Sequence, residues 1–228
     1  MQPATSPEIV ECRGVRLDLS HPLFTEKLRR AVERGWYEGA EARASEIMVK
    51  PGDRVVEFGG GCGFISSFMA LTHTDITIQC VEANPELLAL IEHHHRLNGV
   101  TCARLHHELA AREDGMADFY VTRDFWASST RPGAEARCVK VPARAISKRL
   151  DEWDPQVVVM DVEGAELELL ADPLPSSLRA LVLELHPDIY GLPGVKAVMD
   201  GLSKQGFAFV PEASEHAVTA WARVDALA

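Results

Sequence analysis

The sequence predicts an α/β protein: a mostly parallel seven-stranded sheet flanked by helices, with an N-terminal helical cap and one inserted β-hairpin. Three observations predict it. From Arg54 onward, short apolar runs alternate with stretches of helical character, the order that lays parallel strands side by side under crossover helices. The run "VVVM" at 157–160 is apolar without alternation, as a strand buried on both faces must be. The run at 54–58 empties into "GGGCG" at 59–63, directly before an apolar helix.

In chain order, residues 1–7 carry no pattern, and "FTEKLRRAVERGWYEGAEARASEIM" at 24–48 is helical in propensity, broken by Gly35 and Gly39. Residues 1–50 are therefore a helical cap, belonging to the same domain as residues 51–228. Strands are expected near 54–58, 76–81, 102–106, 157–161, 180–185, 207–210 and 217–223, and helices near 63–72, 85–98, 164–171 and 194–205. The helix at 85 is signalled at both ends, by Asn84 as a cap, Pro85 at its first position and Gly99 as a stop. Between 115 and 150 the rhythm lapses into two strand-like runs around a Ser/Pro/Gly loop, read as the inserted hairpin.

Composition narrows the function. A formal net charge of −11 disfavours attraction to a phosphate backbone or an anionic membrane, so neither nucleic acid nor membrane is expected as a partner. The five cysteines are widely spaced and never form CxxC, which argues against a disulfide framework or a zinc site and for a reducing cytoplasm. No apolar run approaches the roughly 20 residues of a membrane span, and the N-terminus has no export signal. Whether the chain forms a homo-oligomer is left open.

The glycines Gly59, Gly61 and Gly63, between a buried strand and a helix, let a nucleotide-like ligand approach the backbone. The next strand ends in "CVEANP", and Glu82 there can accept two hydrogen bonds from a ribose diol. A nicotinamide oxidoreductase is the alternative on a similar fold. The dinucleotide spacing GxGxxG would then put Phe64 or Ser66 at the third glycine, which disfavours a pyrophosphate. A cofactor-binding scaffold without catalysis is the other alternative.

"VVEFGGGCGFISSFMA", "VEANPELLALIEHHHRLNGV" and "VVVMDVEGAELELL" resemble successive signatures of class I S-adenosylmethionine-dependent methyltransferases. The last, with "RLDEW" before it, is similar to the FkbM-type family, and the resemblance runs from about 36 to 186, including "GWYEGAEA" and "LELHP". It implies a Rossmann-like class I methyltransferase fold, S-adenosyl-L-methionine as cofactor, and methylation of a hydroxyl on a small-molecule acceptor such as a sugar or secondary metabolite. Residue by residue it implies Glu57 and the Gly59–Gly63 backbone beside the methionine portion, Glu82 and Ala83 at the ribose, Glu108 in "HHELAA" at the adenine, and Asp161 near the cofactor amine. The acidic strand ends suit the positive charges of this cofactor better than they suit a pyrophosphate.

Methyl transfer to a hydroxyl needs donor and acceptor held in line and a proton removed. Asp161, Glu163, Glu184 and His186 stand at expected carboxyl ends of strands, where open α/β sheets place their ligands. His186 is the candidate general base because histidine titrates near neutrality, and Asp161 and Glu163 are candidates to accept hydrogen bonds from the hydroxyl. Acids there also favour the dipole of a following helix, and Glu166 and Glu168 are assigned only that structural part, on its flanks. Asp161 and Glu163 could serve a divalent ion, but with no further acid or Asn clearly placed, no metal is expected. His93, His94 and His95 project about 100° apart on a helix, cannot converge on one ion, and read as a solvated face. Trp126 and Ser128 in the hairpin loop, with Ser129 and Thr130, have the composition of a flap, and are expected to line the acceptor pocket with Trp36 and Tyr37.

Overall fold

The computed structural model describes residues 7–122, 130 and 136–226. It opens with a hairpin absent from the sequence-based expectation, β1 (Ile9–Cys12) and β2 (Val15–Asp18), turned at Arg13 and Gly14. Both turn residues have positive φ, 49° and 84°, as a two-residue hairpin with right-handed strand twist requires. The two cap helices follow as α1 (Glu26–Glu33) and α2 (Gly39–Met48), with Trp36, Tyr37 and Glu38 between them.

The βα units come next: β3 (Arg54–Phe58), α3 (Phe64–Thr72), β4 (Thr77–Glu82), α4 (Leu88–Leu97) and β5 (Ala103–His107). At α4, Asn84 Oδ1 accepts the Glu86 N–H (3.0 Å) in the turn before the helix. Gly99 ends it at φ 68°, where the chain reverses and the Val100 N–H reaches back to His95 O (2.9 Å). The insertion is a separate three-stranded sheet of β6 (Leu109–Ala111), β7 (Gly115–Val121) and β8 (Arg137–Ala145). β7 and β8 form the expected antiparallel pair, and β6 runs parallel to β8. The chain then forms α5 (Ile146–Trp153), β9 (Val157–Met160), α6 (Glu166–Leu169), β10 (Ala180–Glu184), α7 (Pro187–Lys204), β11 (Phe207–Phe209) and β12 (Val218–Arg223). α7 is kinked at Gly191, so the helix expected from residue 194 is its second limb.

The main sheet has the order β11-β12-β10-β9-β3-β4-β5. Its strands are parallel from β10 through β5, and only β12 runs against its neighbours. Successive residues of the central strands feed opposite faces. Val55, Ile78, Val157 and Val159 pack with α2, α3 and α4, while Val56, Val158, Met160 and Leu181 pack under α5 and α7. Leu17 of the hairpin and Leu28 of α1 belong to the same apolar cluster as Val55 and Val157. Among the described residues no helix is long and apolar enough to cross a membrane.

This order carries one consequence for function. From β3 the chain builds outward through β4 and β5, then returns to build β9 and β10 on the other side, so β3 and β9 are neighbours whose following loops diverge. A crevice opens at that switch point, beyond the carboxyl ends of the strands.

Candidate active site

The crevice comprises about 760 Å³ of space, part of it open to solvent. Its two ends differ. One is lined by Val81, Leu87, Leu109, Ala110 and Phe119, with Glu82 and Ala83 at the edge; the other by Glu38, Asp161 and Glu163. Among the described residues, none that line it is Lys or Arg.

The glycine loop divides into cleft-facing and packing positions. Gly59 has φ 91°, and a Cβ there would come within 1.9 Å of the Asp161 carbonyl oxygen, so only glycine lets the two strand-end loops touch. Gly63 packs against Ile91 of α4, where a Cβ would stand 3.1 Å away. Gly61 is open, its nearest would-be neighbours the Tyr37 hydroxyl at 3.8 Å and Glu38 at 3.9 Å. Gly59 and Gly61 line the cleft; Gly63 does not.

Glu82 ends β4 beneath this loop, its Oε2 accepting the Gly61 N–H (2.9 Å) and its Oε1 the Asn84 N–H (2.6 Å). Burial pushes its carboxyl up to about 7, with those backbone donors pulling the other way. Glu57 lies behind the loop rather than in the cleft: its Oε1 accepts the Ser66 N–H (3.1 Å) at the start of α3, and burial pushes it up to about 7 as well. Glu108 lines the cleft, but its carboxylate is paired with Arg149, whose Nε donates to Oε2 at 2.9 Å.

The acids after β9 gather around His186, which follows β10. His186 Nε2 lies 3.5 Å from Asp161 Oδ1 and 3.5 Å from Glu163 Oε2, and Nδ1 lies 3.1 Å from Glu166 Oε1. The turn that arranges this is tight. Glu163 and Gly164 both have positive φ, 51° and 94°, and a Cβ on Gly164 would meet Ile189 at 2.7 Å. Only one helical turn follows, so the helical wheel expected over 164–171 does not set the faces. Glu166, expected on an exposed flank, is instead fully buried, and its Oε1 accepts from the Val162 and Gly164 N–H groups, both at 3.3 Å. Glu168 is exposed.

Burial pushes Asp161 up to about 7, reinforced by Glu163 and opposed by His186. Burial likewise pushes Glu163 and Glu184 up to about 7. Burial alone would depress His186, but Glu166 first, then Asp161 and Glu163, raise it to about 9. His186 thus rests protonated at neutral pH, which corrects the expectation of a histidine titrating near 7. The proton-accepting capacity of the cluster lies with the carboxylates.

The aromatic expectations are corrected in part. Trp36 is 67% exposed with the Arg34 guanidinium over its ring, away from the cleft, and Tyr37 is buried edge-on against Phe64. The cap residue that reaches the cleft is Glu38, turned inward by a left-handed backbone (φ 46°). No periodicity marks it in the sequence. Thr130 of the hairpin loop lines the cleft, whereas Trp126 and Ser128 lie outside the described residues.

The triple histidine is not a solvated face. His94 is 0% exposed; its Nε2 accepts the Asp18 N–H (3.0 Å), so the ring proton sits on Nδ1, which donates to the Cys62 carbonyl (2.7 Å). Burial depresses it to about 4, keeping it neutral. His95 is buried against Ser66 Oγ (2.9 Å), and only His93 reaches the surface, beside Asp18. His93 and His94 share Asp18, through its carboxylate and its N–H, while His95 turns to Ser66.

The family model "Methyltransferase FkbM domain" matches residues 53–209, well over half of the chain. No match is found among curated proteins. Solved structures resemble the chain at low identity. A ribosomal protein L11 methylase of Lactobacillus delbrueckii subsp. bulgaricus is 15% identical, over 82% of this chain and 78% of that one, with a TM-score of 0.50. The precorrin-6y C5,15-methyltransferase of Geobacter metallireducens is 14% identical over 81% and 84% (TM-score 0.47), and an rRNA methylase of Streptococcus thermophilus 11% identical over 80% and 93% (TM-score 0.46). At 15% identity, the likeness to the L11 methylase speaks for a shared Rossmann-like fold alone. Taken with a glycine loop at the switch point and an acid closing the second strand of the main sheet, the family match is decisive: this chain belongs to the FkbM methyltransferase domain family.

Proposed function

We propose that the protein is an S-adenosylmethionine-dependent O-methyltransferase acting on a hydroxyl of a small molecule, such as a sugar or a secondary metabolite. The observation that carries this is the polarity of one cleft: an apolar slot with a buried acid at one end, and carboxylates at the other, with no lysine or arginine in its lining among the described residues. The residues present fit the cofactor. Val81, Leu87 and Phe119 would flank the adenine, Glu82 the ribose diol, and Gly59 and Gly61 would admit the chain that follows. Asp161 Oδ1 is buried with no hydrogen-bond partner among the described residues, and a cationic ligand relieves such an atom. When bound, S-adenosylmethionine supplies an electrophilic methyl whose transfer leaves the carbon–sulfur electron pair on sulfur.

The chain's own residues then have three tasks. Glu38 and Thr130 bound the space left for the acceptor. Asp161 and Glu163 orient the acceptor hydroxyl and receive its proton as the new carbon–oxygen bond forms. His186, gripped by Glu166, keeps those two carboxylates together. The net charge of −11 favours a small acceptor over nucleic acid.

Calorimetric titration with S-adenosylhomocysteine, S-adenosylmethionine and NAD, followed by methyl transfer to a panel of sugars and polyketide-like alcohols, tests the proposal. Binding of the first two and turnover of an alcohol are expected. A response to NAD alone would restore the oxidoreductase alternative; binding without turnover on any acceptor would favour a scaffold.

A further inference from the structure

We propose that Asp161, Glu163 and His186 form a divalent-cation site at the acidic end of the cleft, with the buried carboxylate of Glu166 holding the imidazole from behind. Each residue offers one ligand atom, and the three atoms lie within 4.8 Å of one another. The two contacts of His186 Nε2, 3.5 Å to each carboxylate, are too long for hydrogen bonds. They suit an ion between the groups, since ligands bound at about 2.1 Å stand roughly 3.0–3.5 Å apart. The second nitrogen supplies an independent observation. Glu166 is fully buried and lies 3.1 Å from Nδ1, a charge contact without hydrogen-bond geometry that sets a carboxylate behind the ring, on the side away from Nε2, as in the outer shell of a ligating histidine. Three atoms here, Asp161 Oδ1, Glu166 Oε2 and His186 Nδ1, are buried without a hydrogen-bond partner among the described residues.

The donor set, two carboxylates and an imidazole, suits a first-row divalent ion of the Mn²⁺ type more than Ca²⁺. Asp161 and Glu163 also line the cleft, so the ion would keep positions open on the acceptor's side. Its use rests on the methyl-transfer reading: it would hold the acceptor hydroxyl oxygen and make its proton easier to lose to the carboxylate oxygen of Glu163 that does not ligate the ion. Its presence does not.

The test is Mn²⁺ titration of the EDTA-treated protein at pH 7.5, with free aqueous Mn²⁺ read by electron paramagnetic resonance, and S-adenosylhomocysteine binding and the melting temperature measured on the same samples. A single Mn²⁺ per chain is expected, weakened at least tenfold in Glu163→Gln and in His186→Gln, and about 10-fold or more in Glu166→Gln. No binding up to roughly 1 mM, the weak end for oxygen-rich sites, by protein that melts cooperatively would overturn the site. So would binding undiminished in both ligand variants. Mn²⁺ binding by protein that ignores S-adenosylhomocysteine would uphold the site while removing the methyl-transfer reading.

Discussion

The glycine at 59 and the glycine at 61 do different work. An alanine at 59 would drive its Cβ into the Asp161 carbonyl at 1.9 Å in a backbone region that L residues avoid. Gly59→Ala should therefore lose at least about 3 kcal/mol in urea denaturation. Gly61→Ala meets nothing closer than 3.8 Å and should cost only about 1–2 kcal/mol in backbone strain, yet weaken S-adenosylhomocysteine binding by narrowing the cleft. Equal stability losses would contradict this division. Glu82 was legible in the sequence because a strand end is marked by where the apolar run stops. Glu38 and Glu166 were not, because each is placed by a left-handed turn, Glu38 by its own φ of 46° and Glu166 by the Glu163–Gly164 pair before it. No hydrophobic pattern records such turns.

Among the elements, strands with uninterrupted apolar runs were readable within a residue or two, since burial on both faces leaves no room for polar side chains. The hairpin β1–β2 was not, since four-residue strands with polar alternates barely establish a period. Helix α5 was missed because "ISKRLDEW" shows the core only Ile146 and Leu150. The triple histidine misled for the opposite reason: α4 is amphipathic, but His94 and His95 fall on its buried face, against β2 and α3. Through His94 the hairpin is tied to the glycine loop, Asp18 on one nitrogen and Cys62 on the other. His94→Ala leaves a buried N–H and a buried carbonyl without partners. It should cost roughly 2–4 kcal/mol by urea denaturation and weaken S-adenosylhomocysteine binding measured by calorimetry. Unchanged cofactor affinity would mean that the hairpin does not shape the loop.

Over the whole molecule, buried carboxyls set the response to pH. Glu57 and Glu82 sit in the folded protein near 7, well above the ordinary carboxylate range near 4.5, chiefly through burial. The folded state therefore binds protons more tightly than the unfolded chain between those values, and stability falls as pH rises through that window. Each group accounts for on the order of 1–3 kcal/mol. The melting temperature of the ligand-free protein should fall from pH 5 to pH 8, and less steeply with cationic S-adenosylmethionine bound. A profile that rises over that range would show these groups ionised at no cost.

The hairpin clasp also bears on where this protein can be cut. The family match begins at residue 53, but Glu38 reaches the cleft from before it, and Asp18 anchors the histidine that braces Cys62. A fragment trimmed to the family boundary would keep every parallel strand and forfeit one wall of its cleft, along with the apolar packing of Leu17, Leu28 and Val32. The smallest functional unit of this chain is thus larger than the segment by which its kinship is recognised.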